Sequence, residues 1–133
     1  MKWLLDTNVV IHVLKDIRGG LANRLAGVDP SEVCICSVVE AELYHGATKY
    51  GAPARRKSAL EGFLRPFASL PFDSPCVPVY ARIRDRLERE GRVIGGNDLM
   101  IASVALTHDL TLVTTNTSEF SRIAELRIED WNH

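Results

Sequence analysis

No uncharged apolar stretch in this chain is long enough to cross a bilayer. The longest, Leu99 to Thr107, falls far short of the ~20 residues that a spanning helix needs. Asp6 interrupts the apolar Trp3-Leu4-Leu5 before it could act as a secretion leader, so the expected location is the cytoplasm, with no membrane partner. Cysteine is scarce. Cys34, Cys36 and Cys76 are an odd set that argues for reduced thiols rather than a disulfide framework. Without a second cysteine pair there is no basis for a zinc site, and Cys34 and Cys36, interleaved with Val33 and Ile35, read as core packing. Charge of either sign is not in excess: 16 Lys+Arg against 17 Asp+Glu leave −1, not the positive surplus usual in nucleic-acid binders. Repeats and low-complexity segments are missing too. What remains is an ordinary soluble composition, with 46% hydrophobic and 25% charged residues over 133 positions. That excludes disorder and collagen-like chains and fits one domain spanning 1–133.

Short apolar runs alternate with longer amphipathic stretches. Strands are expected at Trp3–Leu5, Val33–Cys36, Leu70–Phe72, Thr111–Thr114 and Arg127–Ile128. Helices are expected at Asn8–Lys15, Leu21–Val28, Ser37–Tyr50, Ala54–Phe67, Pro78–Arg89 and Asn97–His108. Ser37 and Glu40 have the spacing of a capping box. Strands separated by helices predict an α/β fold with a mainly parallel sheet and helices on both faces.

In such a sheet, ligands bind beyond the carboxyl ends of the strands. There the chain places polar and acidic residues. The first strand leads into Asp6-Thr7-Asn8, the second into Ser37 and, a turn and a half on, Glu42, and a later one into Thr114-Thr115-Asn116 with Glu119 close behind. Asp98 opens an apolar helix just after Gly95-Gly96. Carboxylates that converge repel each other at neutral pH, and a hard divalent cation relieves this; ligands that are all oxygen favour Mg²⁺ or Mn²⁺. Such a centre suits phosphodiester hydrolysis, because the metal acidifies an attacking water and offsets charge on the phosphate.

Singly, each residue has an ordinary explanation. Asp6 and Asp98 could be helix caps, and Asn116 and Glu119 turn and cap residues. Glu42 resists one, because it lies past the cap in an apolar segment where burial without a partner is costly. His45 follows Glu42 in a Glu-x-x-His spacing, but di-iron bundles need that motif twice. His12, His108 and His133 show no partner pattern and read as surface residues.

The matching stretches are Leu5-Asp6-Thr7-Asn8, Ala41-Glu42-Leu43 with Gly46-Ala47, and Gly91-Arg92-Val93-Ile94-Gly95-Gly96-Asn97-Asp98. After them come Ile101-Ala102, Leu112-Val113-Thr114-Thr115-Asn116, Glu119-Phe120 and Glu129-Asp130-Trp131. In this order and spacing, over nearly the whole chain, the sequence resembles PIN-domain ribonucleases, and more narrowly the VapC-type toxins of toxin–antitoxin pairs. The resemblance implies a PIN-like α/β/α sandwich and a metal-dependent endoribonuclease. It places Asp6, Glu42 and Asp98 in the acidic metal site, with Asp6 and Asp98 as metal ligands and Thr7, Asn8 and Thr115 in support. Many PIN domains have a fourth acid where this chain has Asn116, so Asn116 and Glu119 both stand as candidates, and one or two metals remain open. Structured RNA is the implied substrate, with the anticodon loop of initiator tRNA as a candidate target. A VapB-type antitoxin is the implied partner, and a homodimer is expected. The alternative is a PIN-like module that binds RNA or a partner without cutting.

Two basic groups are candidates for facing RNA. Arg82, Arg86 and Arg89 form a stripe whose ordinary explanation is a solvated face with Asp85–Arg89 and Glu88–Arg92 pairs. Arg55-Arg56-Lys57 sits in a first helical turn, where the macrodipole disfavours cations. Leu60, Phe63, Leu64 and Phe67 form an apolar row that either receives a partner helix or packs in the core or a dimer interface.

Overall fold

The computed structural model describes residues 1–132. Five strands form one sheet in the order β3-β2-β1-β4-β5, with every neighbouring pair parallel. They are β1 (Trp3–Leu5), β2 (Val33–Cys36), β3 (Ala68–Leu70), β4 (Thr111–Val113) and β5 (Ile128–Glu129). Seven helices, α1 (Thr7–Lys15), α2 (Gly20–Ala26), α3 (Ser37–Lys49), α4 (Pro53–Leu64), α5 (Cys76–Arg89), α6 (Gly96–Thr107) and α7 (Thr117–Phe120), cover it, and a 3-10 turn at Pro30–Glu32 precedes β2. This is the expected PIN-like α/β/α arrangement. No described helix is long and apolar enough to cross a membrane.

The central strands are buried on both faces, which is why they are continuous apolar runs rather than alternating ones. All four residues of β2 are buried, including both cysteines. Burial pushes the Cys34 thiol up to about 12 and the Cys36 thiol up to about 11, so both behave as inert core residues. α6 is buried at Leu99, Ile101, Ala102, Ser103, Val104 and Ala105 and packs against α5. α3 buries Val39, Leu43 and Ala47 and packs on α1 and α4.

Several boundaries differ from the expected ones. β3 lies two residues earlier than Leu70–Phe72, because Pro71 lacks the N–H that a sheet ladder requires. α4 starts one residue early, with Pro53 in its first turn, and stops at Leu64. The capping box does not form. The extended Cys36 leads straight into α3, so Ser37 is already helical and makes no cap. Its hydroxyl instead accepts from the Phe72 N–H at 3.1 Å. Glu40 accepts from the Ser69 hydroxyl, so both residues lash α3 to the β3 edge.

Candidate active site

The register of the two central strands builds the site. Leu5 of β1 lies beside Val113 of β4, so Asp6 and Thr114 leave the sheet side by side. Asp6 caps α1, its carboxylate accepting from the Thr7 N–H at 2.8 Å. Its other oxygen accepts from the Thr114 hydroxyl at 2.8 Å, and that hydroxyl accepts from the Asn116 N–H at 3.0 Å. Thr114 is fully buried. Of the three residues expected in support, Thr7 bonds to Glu42, while Thr115 makes no side-chain hydrogen bond among the described residues. Asn8 is exposed and likewise makes none. The signal for Thr114 was available in principle: once β1 and β4 are placed as neighbours, the residue after each strand falls beside the other.

Glu42 of α3 is half-buried and held on both oxygens. Thr7 donates its hydroxyl to Oε1 at 2.6 Å, and Asn97 donates its amide to Oε2 at 3.3 Å. Asn97 had no expected role and sits beside Asp98 at the start of α6. Glu119 reaches in from α7. Its Oε2 accepts from the Asn116 amide at 2.7 Å and its Oε1 from the Gly95 N–H at 3.2 Å. Asn116 therefore serves as a donor that orients Glu119, and Glu119 contributes the fourth carboxylate.

The four acids sense each other. Burial pushes the Asp98 carboxyl up to about 6, and the charges of Asp6, Glu119 and Glu42 add to the rise. Burial also raises Asp6, opposed by its hydrogen bonds from Thr114 and Thr7 and reinforced by Glu42 and Glu119. No three His, Cys, Asp or Glu side chains among the described residues close into a ready-made metal cage. The donor set is four mutually repelling carboxylates with oxygen ligands only, which fits an ion such as Mg²⁺ that keeps most of its waters and takes few protein ligands.

The remaining candidates lie elsewhere. His12, His45 and His108 are exposed and outside the cluster, and His133 lies outside the described residues. The α5 stripe is paired with acids: Arg82 and Arg86 share Glu125 at 3.0 and 2.7 Å, and Arg89 meets Asp85 at 2.6 Å. Glu88 pairs with Arg84 rather than with Arg92. In the apolar row, Leu60 and Leu64 are buried while Phe63 and Phe67 pack against each other with their rings tilted, half-buried. A groove of about 520 Å³ opens beside the row instead, lined by Ile11, Leu14, Leu43, Ala47 and Leu60, with Glu42 also in its wall.

The family model for the PIN domain matches residues 3–126. The chain is 37% identical over 132 residues to the tRNA(fMet)-specific endonuclease VapC of Shigella flexneri, covering 99% of each. The DNA-bound VapBC structure from Salmonella typhimurium superposes with a TM-score of 0.93 at 37% identity, over 98% of each chain. VapBC2 of Rickettsia felis, bound to a promoter DNA fragment, superposes with a TM-score of 0.92 at 34% identity, over 98% of this chain and 99% of that one. A sheet that gathers four acids at one end and a likeness running the length of the chain lead to one assignment: the protein belongs to the PIN-domain family, among its VapC ribonucleases.

Proposed function

We propose that this chain is a metal-dependent endoribonuclease that cuts structured RNA in the cytoplasm, the toxin half of a pair neutralised by a VapB-type antitoxin. The whole chain, 1–133, is read as its one PIN domain. The observation that carries the reading is the meeting of Asp6, Glu42, Asp98 and Glu119, drawn from four separate elements, at one end of the sheet. The names of the relatives, ribonucleases and a tRNA endonuclease, support the same activity.

Asp6 and Asp98 would hold a Mg²⁺ or Mn²⁺ ion. When bound, such an ion makes a water more acidic and offsets charge on the phosphate oxygens. Thr114 favours the ionised form of Asp6 by donating to it. Glu42, pinned by Thr7 and Asn97, orients the attacking water and accepts its proton. The water oxygen bonds to phosphorus, a P–O ester bond breaks, and the leaving oxygen takes a proton.

The groove between α1, α3 and α4 suits the antitoxin. Its apolar lining accepts anchors at helical spacing, and Glu42 in its wall offers a partner for an inserted arginine, which would silence the site. Co-expression with the adjacent small open reading frame should give a complex that co-purifies and cuts RNA more slowly than the free chain.

The direct test of the activity is to sequence RNA 5′ ends after brief expression in cells. Cuts concentrated in the loop of one structured RNA, with the initiator tRNA anticodon loop as first candidate, are expected. Cuts scattered through messenger RNA would contradict a tRNA specialist.

A further inference from the structure

We propose that Tyr50, with the cations around it, is a stacking platform for an unpaired base of the RNA substrate, at the mouth of the groove in whose wall Glu42 stands. The inference rests on the ribonuclease reading and adds to it a named contact for the substrate outside the acidic cluster.

Three observations place the platform. Tyr50 is 57% exposed, one of few large apolar side chains left to solvent, and it lines the same groove as Glu42. Two cations lie over its ring: the Arg56 guanidinium is 5.8 Å and the Lys49 ammonium 5.9 Å from the centroid. Arg56 also donates its Nε to the Gly51 carbonyl at 2.6 Å, which directs the guanidinium toward the ring. An exposed ring with cations over it can hold a base by stacking, once a side chain gives way, and its phosphate by charge.

Charge decides the class of occupant. Between Glu42 and Glu61 the chain has no acidic residue and carries Lys49, Arg55, Arg56 and Lys57. None of these four forms an ion pair among the described residues, whereas Arg82, Arg84, Arg86 and Arg89 of α5 each meet an acid. Lys15, on the groove wall, is also without an ion pair. A net charge of −1 thus conceals a local cationic field around one exposed ring. Arg55 and Arg56 stand in the first turn of α4, where the helix dipole makes unpaired cations unfavourable and a phosphate would relieve them. A polyanion with unstacked bases, such as an RNA loop, matches both parts; duplex RNA offers the phosphates but no base to stack.

The test measures binding by fluorescence anisotropy with the Asp98→Asn protein, on an RNA hairpin with a single-stranded loop and on an RNA duplex of equal charge. Adding Tyr50→Ala should weaken hairpin binding roughly ten-fold and leave duplex binding within about two-fold, with Tyr50→Phe restoring the hairpin affinity. Adding Arg56→Gln should flatten the salt dependence of hairpin binding by about one phosphate contact. Hairpin binding that is indifferent to Tyr50→Ala overturns the proposal, as does a loss that is equal on both RNAs. A Tyr50→Ala effect confined to antitoxin binding overturns it too, and gives the surface to the antitoxin. The wild-type chain is assayed for cleavage of total cellular RNA. Cleavage with Tyr50-independent binding fells the platform alone; Tyr50-dependent binding without cleavage upholds the platform and fells the ribonuclease reading.

Discussion

At the scale of single residues, the acids should separate cleanly by substitution. Asp6→Asn and Asp98→Asn keep size and shape while removing a charge, so each purified variant should stay folded and lose roughly 10²-fold or more of its RNA cleavage in Mg²⁺, and Glu42→Gln should do the same. Wild-type-like cleavage by either aspartate variant ends the assignment. Thr114 gives a finer test. Thr114→Val removes the hydroxyl that favours ionised Asp6 and that accepts from Asn116, so the acid limb of the pH–rate profile should move to higher pH, while Thr114→Ser should keep it in place. Thr114→Val should also lose about 1–3 kcal/mol of stability, measured by urea unfolding, because it takes a hydrogen bond from the buried Asp6 carboxylate. The identity of the acids was legible in the chain as charges following apolar runs. The choice of Thr114 over Thr115 was not, since it depends on Leu5 lying opposite Val113.

At the scale of elements, α7 works as a bracket. Glu119 joins Asn116 to the Gly95 N–H at the head of α6, so it steadies the segment that carries Asp98 as well as adding charge. Alanine at Glu119 or Asn116 should therefore slow cleavage less than Asp98→Asn does, and a larger loss at Glu119 would make it a direct ligand. On α5, the bonds of Arg82 and Arg86 to Glu125 leave the stripe little charge to offer RNA. Arg86→Ala should change hairpin affinity by less than about two-fold and stability by at most about 1 kcal/mol, as for other exposed ion pairs. Most elements could be read from periodicity, because buried strands and amphipathic helices write their burial into residue order. The Ser37–Glu40 spacing misled for a physical reason. β2 runs into α3 without a loop, and Glu40 turns sideways to β3 and Ser37 to Phe72 just after it, neighbours that local spacing cannot see. Trp131 was legible only as part of a motif. Its burial against Trp3, with both indoles donating to Glu129, depends on β5 pairing with β4.

At the scale of the whole molecule, the acidic cluster sets how stability answers to pH and metal. A carboxyl whose folded pKa lies above its unfolded value contributes stability that is complete below the unfolded value and is lost as pH rises through the folded one. For Asp98 that window runs from 3.8 to about 6. Without divalent metal, the melting temperature should fall by a few degrees, roughly, across this range, and Asp98→Asn should flatten the fall. Mg²⁺ near pH 7 should restore the loss in the native chain and not in Asp98→Asn, because an ion that binds only the folded form stabilises it by mass action. A melting temperature indifferent to both pH and Mg²⁺ would contradict this account.

The strand order has a bearing on when the chain becomes dangerous to the cell that makes it. β1 is the first strand synthesised and the middle strand of the sheet, and its neighbour β4 is not complete until Val113. Asp6 and Thr114, which meet in the site, are 108 positions apart, and Glu119 comes later still. A growing chain therefore carries Asp6 without Thr114 or Glu119 beside it until β4 and α7 have been made. A product truncated before β4 should therefore cut no RNA in a purified assay in which the 133-residue chain does.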